Sequence, residues 1–127
     1  MDFGHLFFSL DGRINRAKFW AGIVILLVAQ WVLMIVVGMV MGESMMSADP
    51  AQPPSAAAVV PVLILVLLFL WPSICVYAKR WHDRNKSGWW TLIALVPIVG
   101  GIWLLIECGL LHGTNGDNRF GPDPLAA

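Results

Sequence analysis

The chain has 127 residues, 58% of them hydrophobic and 13% charged, with seven Trp and a formal net charge of zero. The charged fraction is about half that of an ordinary soluble domain, and a chain this short cannot hide so much apolar surface from water. These numbers exclude a soluble globular protein, and without a basic excess they give no sign of a nucleic-acid partner.

Residues 1–20 form a juxtamembrane segment carrying Arg13, Arg16 and Lys18, with a turn signal at Asp11-Gly12 and Asn15 as a candidate helix cap. Three apolar runs follow. Ala21–Met41 reads AGIVILLVAQWVLMIVVGMVM, Ala56–Ala78 reads AAAVVPVLILVLLFLWPSICVYA, and Trp89–Leu111 reads WWTLIALVPIVGGIWLLIECGLL. A hydrocarbon core of about 30 Å takes roughly 20 helical residues to cross, and lipid satisfies no backbone groups, which leaves helices as the form for such runs. The expected fold is an all-α integral membrane protein with three transmembrane helices, at 21–41, 56–78 and 89–111. The third is kinked by Pro97 and Gly100-Gly101; Pro61 and Pro72 should cap or kink the second. The first run is too long for a signal-peptide core of about 7–15 residues, and a signal-anchor is expected.

The connections carry the orientation. The loop 42–55, GESMMSADPAQPPS, has no Lys or Arg, whereas the loop 79–88 holds Lys79, Arg80, Arg84 and Lys86. The positive-inside rule therefore puts the N-terminus and the basic loop in the cytoplasm of a bacterial inner membrane, with 42–55 outside. Phe19, Trp20, Tyr77, Trp81, Trp89 and Trp90 are aromatic anchors of the same interface. The tail 112–127 then lies outside if the third segment crosses fully, which is the expected course. A break at Pro97-Ile-Val-Gly-Gly would instead fold that segment into a re-entrant hairpin and return the tail to the basic loop.

Within the spans, Gln30 is ten residues past Trp20, about 15 Å deep, and should donate or accept an interhelical hydrogen bond. Glu107, eighteen residues past Trp89, is expected near the far interface as a snorkelling or hydrated carboxylate. Gly38-x-x-x-Gly42 and Gly109-x-x-x-Gly113 are spacings that permit close helix approach.

Three stretches carry the remaining character of the chain: FSLDGRINRAKFW, KRWHDRNKSGWW and GTNGDNRFGPDP. Through Gly12, Arg13, Asn15, Arg16, Phe19 and Trp20 in the first, Arg80, His82, Asp83, Ser87, Gly88 and Trp89 in the second, and Asn118, Arg119, Gly121, Pro122 and Pro124 in the third, the sequence resembles the domain of unknown function 805 family. These are small bacterial inner-membrane proteins of the YhaH/YhaI type. The resemblance covers Phe8 to Pro124 and implies an integral inner-membrane protein without implying an activity. Trp81 stands where family versions often carry a small apolar residue.

Three functional readings remain. The first is a non-enzymatic interaction or accessory component, self-associated or bound to a partner membrane protein. The second is a binder of anionic lipid headgroups or small anions, or a transporter-associated subunit, using Arg13, Arg16, Arg80 and Arg84, since a planar guanidinium matches phosphate and basic clusters beside a span attract anionic lipid. The third is an enzyme on a membrane substrate that uses His82 and Asp83 as an acid/base pair; no nucleophile stands at a recognisable spacing, and no catalytic residue is assigned. His5, His82, His112, Cys75 and Cys108 lack metal-ligand spacing, and Met39, Met41, Met45 and Met46 are a weak match to soft Cu(I). No metal or cofactor is expected.

Overall fold

The computed structural model describes residues 2–46 and 49–125, without the side chains of residues 43–46, and it is all-helical. A short helix, α1 (Phe3–Phe8), begins at Asp2, whose carboxylate accepts from the His5 amide at 3.1 Å. Asn15 caps α2 (Arg16–Met46) by accepting from the Lys18 amide at 2.8 Å, which supplies one of the partners that a helix start lacks. α3 (Ala56–Asp83) runs as one helix through Pro61 and Pro72. The missing amide of Pro72 weakens the ladder locally, and one turn away the Ser73 hydroxyl donates to the Phe69 carbonyl at 2.7 Å, as hydroxyls do where lipid offers no partner.

α2 and α3 are long and apolar enough to cross a membrane. Over its most apolar window α2 is only 6% buried and α3 only 22%. Helices that are apolar and exposed on most sides have the surface a bilayer solvates.

The third apolar run departs from the expected single helix. Residues Gly88–Leu95 form a 3-10 helix, the chain turns at Val96-Pro97-Ile98, α4 (Val99–Leu104) runs back, and Leu105–Leu110 continues it as a π-helical turn. Ile98 takes a left-handed φ of 65°, and the Gly100 amide donates to the Val96 carbonyl at 3.0 Å. The returning half packs so closely that a Cβ at Gly100 would overlap the Ile93 carbonyl. A third spanning helix is therefore absent at 89–111. Each half is roughly 16–18 Å long at about 2.0 or 1.5 Å per residue, about half a hydrocarbon core. The proline and glycines do more than kink the segment: they let it double back.

The doubled segment brings the tail to the end of α3. Thr114 donates its amide to the Asp83 carbonyl at 2.6 Å, and Asn118 pairs with Gly121 in an antiparallel bridge. Four parts of the chain (α1, the start of α2, the end of α3 and the returning half) meet around a small core of Leu6, Phe7, Ile14, Phe19, Val76, Trp81, Leu104 and Cys108. Glu107 consequently lies beside the basic loop and not at a far interface, and Cys75 and Cys108, both fully buried, share one end of the molecule.

Candidate functional site

The polar centre of the structure is Asp83, at the last turn of α3. One carboxylate oxygen accepts from Arg13 Nε at 3.1 Å, and the other accepts from the Arg80 guanidinium. All three side chains are at most 5% exposed. A buried charge is costly unless paired and hydrogen-bonded, and here both arginines have further partners. Arg13 donates to the carbonyls of Gly116 at 2.7 Å, Thr114 at 2.7 Å and Gly121 at 3.3 Å. Arg80 donates to Cys108 at 2.6 Å, Leu111 at 2.6 Å and Ile14 at 3.4 Å.

A pattern emerges along the chain leaving the hairpin. The last four carbonyls of a helix lack intrahelical donors and carry the negative end of its dipole. Cys108 and Leu111 receive Arg80, Gly109 receives Trp20 Nε1 at 3.0 Å, Leu110 receives Arg16 at 2.9 Å, and His112 receives Arg84 at 2.6 Å. Five successive carbonyls thus take side-chain donors. The basic residues that signal topology in the sequence are also the cap of the returning half and the clamp of the tail.

The other basic residues follow suit. Lys79 is fully buried and donates to the carbonyls of His5 and, at 2.6 Å, Leu6, which caps the C-terminal end of α1. Arg84 and Lys86 both bind Glu107, at 2.9 and 2.8 Å. Lys86 also stands over the rings of Trp81 and Trp90, 5.7 and 5.4 Å from their centroids, a geometry that attracts a cation to each π face.

His82 is held differently. Its Nδ1 lies 3.0 Å from the Gly12 carbonyl, which can only accept, so that nitrogen carries the proton. Its ring stacks on Phe120, with centroids 4.0 Å apart and planes 6° apart. Asp83 faces the arginines, so the two neighbours take separate partners, as their spacing around a helix leads one to expect. Two open surface grooves lie elsewhere, one lined by Asn15, Arg16, Trp20 and Gly109, another by Val99, Ile102, Trp103 and Glu107.

The motif residues gather at this end. Gly12 has a φ of 90° and offers its carbonyl to His82; Phe19 is buried edge-on to Trp20 and Tyr77; Trp20 lies over Gly109. Ser87 accepts from the Trp89 amide at 3.3 Å and starts the 3-10 helix, Gly88 fits against Ala78, and Trp89 points outward. Asn118 donates to the His82 carbonyl at 2.8 Å and Arg119 to that of Asn85 at 3.3 Å. Gly121, at φ 137°, closes the tail turn ahead of Pro122, Asp123 and Pro124. The backbone amides of Leu125 and Gly116 hold the Asp123 carboxyl below the usual carboxylate range.

Phe120 carries no signal in the sequence, and the ties of Lys79 to α1 and of Gly113 to Asp83 go beyond the topological and packing roles read there. A Cβ at Gly113 would overlap the Asp83 carboxylate, so Gly109-x-x-x-Gly113 serves Trp20 and Asp83. A Cβ at Gly38 or Gly42 meets nothing of this chain within 4 Å. Among the described residues no three His, Cys, Asp or Glu side chains gather as metal ligands. The side chains of Met45 and Met46 lie outside the described residues.

The family model "Protein of unknown function (DUF805)" matches residues 7–122, nearly everything that this cluster ties together. The chain belongs to the DUF805 family. Among relatives from Escherichia coli (strain K12), "Inner membrane protein YhaH" is 33% identical over 114 residues, covering 89% of this chain and 84% of its own. YiiR is 29% identical over 140 residues, covering 91% and 86%. "Inner membrane protein YhaI" is 40% identical over 63 residues, about half of each chain. No solved structure matches. The DUF805 motifs here are the contact points of one cluster, drawn from the start of α2, the end of α3 and the tail.

Proposed function

We propose that this DUF805 protein is a multi-pass inner-membrane protein with two full crossings and a re-entrant hairpin. Its N-terminus, basic loop and tail lie in the cytoplasm, and it acts as a non-enzymatic interaction component. All eight of its Lys and Arg residues, Arg119 of the tail included, lie at one end, which the positive-inside rule assigns to the cytoplasm, and YhaH and YhaI bear the name of inner-membrane proteins. The observation that carries the non-enzymatic reading is the use of the polar groups. Arg13, Arg80, Asp83, Arg84, Lys86 and Glu107 bind one another or backbone carbonyls, while α2 and α3 present apolar side chains outward.

A second reading, anionic-headgroup binding, is favoured at one place. Arg16 lines an open groove with Asn15, Ala17, Trp20, Gly109 and Leu125, and its guanidinium is beside the exposed His112 ring, 3.3 Å away. Purification from membranes in mild detergent, with mass measurement of the intact complex and its lipids, separates the two. The interaction reading expects a protein partner or a second copy, and the same lipid content in wild type and Arg16→Ala. A monomer whose anionic lipid is lost in Arg16→Ala would contradict it and support headgroup binding.

A further inference from the structure

Among the described residues the Gln30 side chain has no hydrogen-bond partner. It lies fourteen residues from Arg16 and twelve from Gly42 in the candidate span Arg16–Gly42, at its middle, and its side chain is exposed. None of the side-chain hydrogen bonds among the described residues involves it. The sequence expectation of an interhelical bond is thus unmet by α3 or the hairpin. In a bilayer this leaves a carboxamide, with two donors and an acceptor, in hydrocarbon at the depth where water is scarcest, where an unpaired polar group is unfavourable.

From this unmet amide we infer that a second copy of this chain docks on the α2 face formed by Leu27, Gln30, Met34 and Gly38, with the two Gln30 side chains hydrogen-bonded to each other. The inference rests on α2 being a membrane span and names the partner left open above. The choice of a second copy comes from symmetry. Two copies inserted with the same orientation can form a closed pair only about an axis along the membrane normal, which puts each residue at the same depth as itself. Gln is self-complementary under that operation: each amide donates to the other's carbonyl and accepts in return. A different partner would need its own polar group at the same depth.

The rest of the face agrees. Leu27, Gln30, Met34 and Gly38 follow at steps of three, four and four, which keeps them on one side of a helix, and all four are exposed. A Cβ at Gly38 meets nothing within 4 Å, so that position is open to close approach by another helix, the use small residues have in membranes.

The test uses the full chain reconstituted in bilayers at falling protein-to-lipid ratio, with the dimer fraction read from energy transfer between labelled copies. The wild type should associate, and Gln30→Leu should weaken it roughly 3- to 30-fold, the range of single interhelical polar contacts. Gln30→Asn should recover part of the loss. Oxidation should cross-link Met34→Cys chains and leave Val32→Cys and Val36→Cys chains, on the opposite face, associated but not cross-linked. An inserted protein that stays monomeric, or a Gln30→Leu variant that associates as the wild type does, overturns the inference alone. Extraction of the protein from membranes by alkaline carbonate would overturn the membrane reading, and the inference with it.

Discussion

Replacing Asp83 with Ala removes the one anion between two buried guanidinium groups. Arg13 is 1% exposed at its side chain and Arg80 is fully buried, so neither can turn to water. Each keeps its carbonyl partners on the tail and the hairpin, but those dipoles offer no countercharge. Breaking a buried pair from one side costs about 3–5 kcal/mol. Asp83→Asn keeps the shape and one acceptor oxygen, and should cost less, about 1.5–3 kcal/mol, the loss of a charge-assisted bond. The damage should fall first on the tail, because Arg13 binds Thr114, Gly116 and Gly121 in the orientation that Asp83 sets. The assay is amide hydrogen exchange of the protein in lipid nanodiscs, read on peptides covering residues 111–121. That stretch includes the Thr114 amide bonded to the Asp83 carbonyl. At about 1.4 kcal/mol per factor of ten, Asp83→Ala should raise the opening of this segment by about two to three and a half orders of magnitude, and Asp83→Asn by about one to two. A double variant, Asp83→Ala with Arg13→Met, should open less than the two single changes add up to, since it leaves one fewer orphaned charge. Tail exchange in Asp83→Ala within a few-fold of wild type would refute the clamp.

Gly113→Ala should also loosen the tail, by about 1–3 kcal/mol as an overpacking cost, because its Cβ would overlap the Asp83 carboxylate; the same exchange measurement reads it, and an unchanged tail contradicts the packing. At the hairpin, Gly100→Ala should lower the unfolding temperature in detergent because its methyl meets the Ile93 carbonyl, while Gly101→Ala, with nothing within 4 Å, should leave it unaltered. Equal effects at the two sites would mean that the halves do not pack as described. Lys79→Met should free α1 by removing the donor to the His5 and Leu6 carbonyls, at about 2–3 kcal/mol for the charge-assisted contacts. Faster chymotryptic cleavage at Phe7 or Phe8 checks it, and wild-type resistance would speak against the cap.

The two long helices were legible because hydropathy and length act locally: nothing outside 21–41 or 56–78 is needed to make those runs apolar. The Asn15 cap was legible for the same reason, as a short polar side chain just ahead of a helix. That the basic segment and the basic loop share one rim also follows from their common interface, and the rim is where Asp83 meets both Arg13 and Arg80. The hairpin was not legible, because a run of apolar residues has the same hydropathy whether it crosses or doubles back. The signals were Pro97 and the paired glycines. What decides between kink and reversal, however, is the left-handed Ile98 and the contact of Gly100 with Ile93, both tertiary facts. Glu107 reaches Arg84 and Lys86 because the segment doubles back, and a carboxylate late in an apolar run with cations in the preceding loop is the one local hint of that contact. Local sequence leaves the arginines open to a purely topological role or to lipid phosphate, since nothing near them shows that the hairpin and tail bring the carbonyls of Cys108, Leu110, Leu111 and His112 to Arg16, Arg80 and Arg84.

Labelling of the tail from outside the cell tests the account most directly, because the gathering of the DUF805 motifs depends on the third segment doubling back. Single cysteines are placed at Leu125 in the tail, at Asn85 in the basic loop and at Ala51 in the opposite loop, all exposed positions. The native Cys75 and Cys108 are fully buried, which makes the unaltered protein the blank. Intact cells are treated with a membrane-impermeant maleimide, with and without opening of the inner membrane. Ala51→Cys should label in intact cells, whereas Asn85→Cys and Leu125→Cys should label together and only after opening. Labelling of Leu125→Cys in intact cells, with Asn85→Cys still protected, would contradict the doubling back.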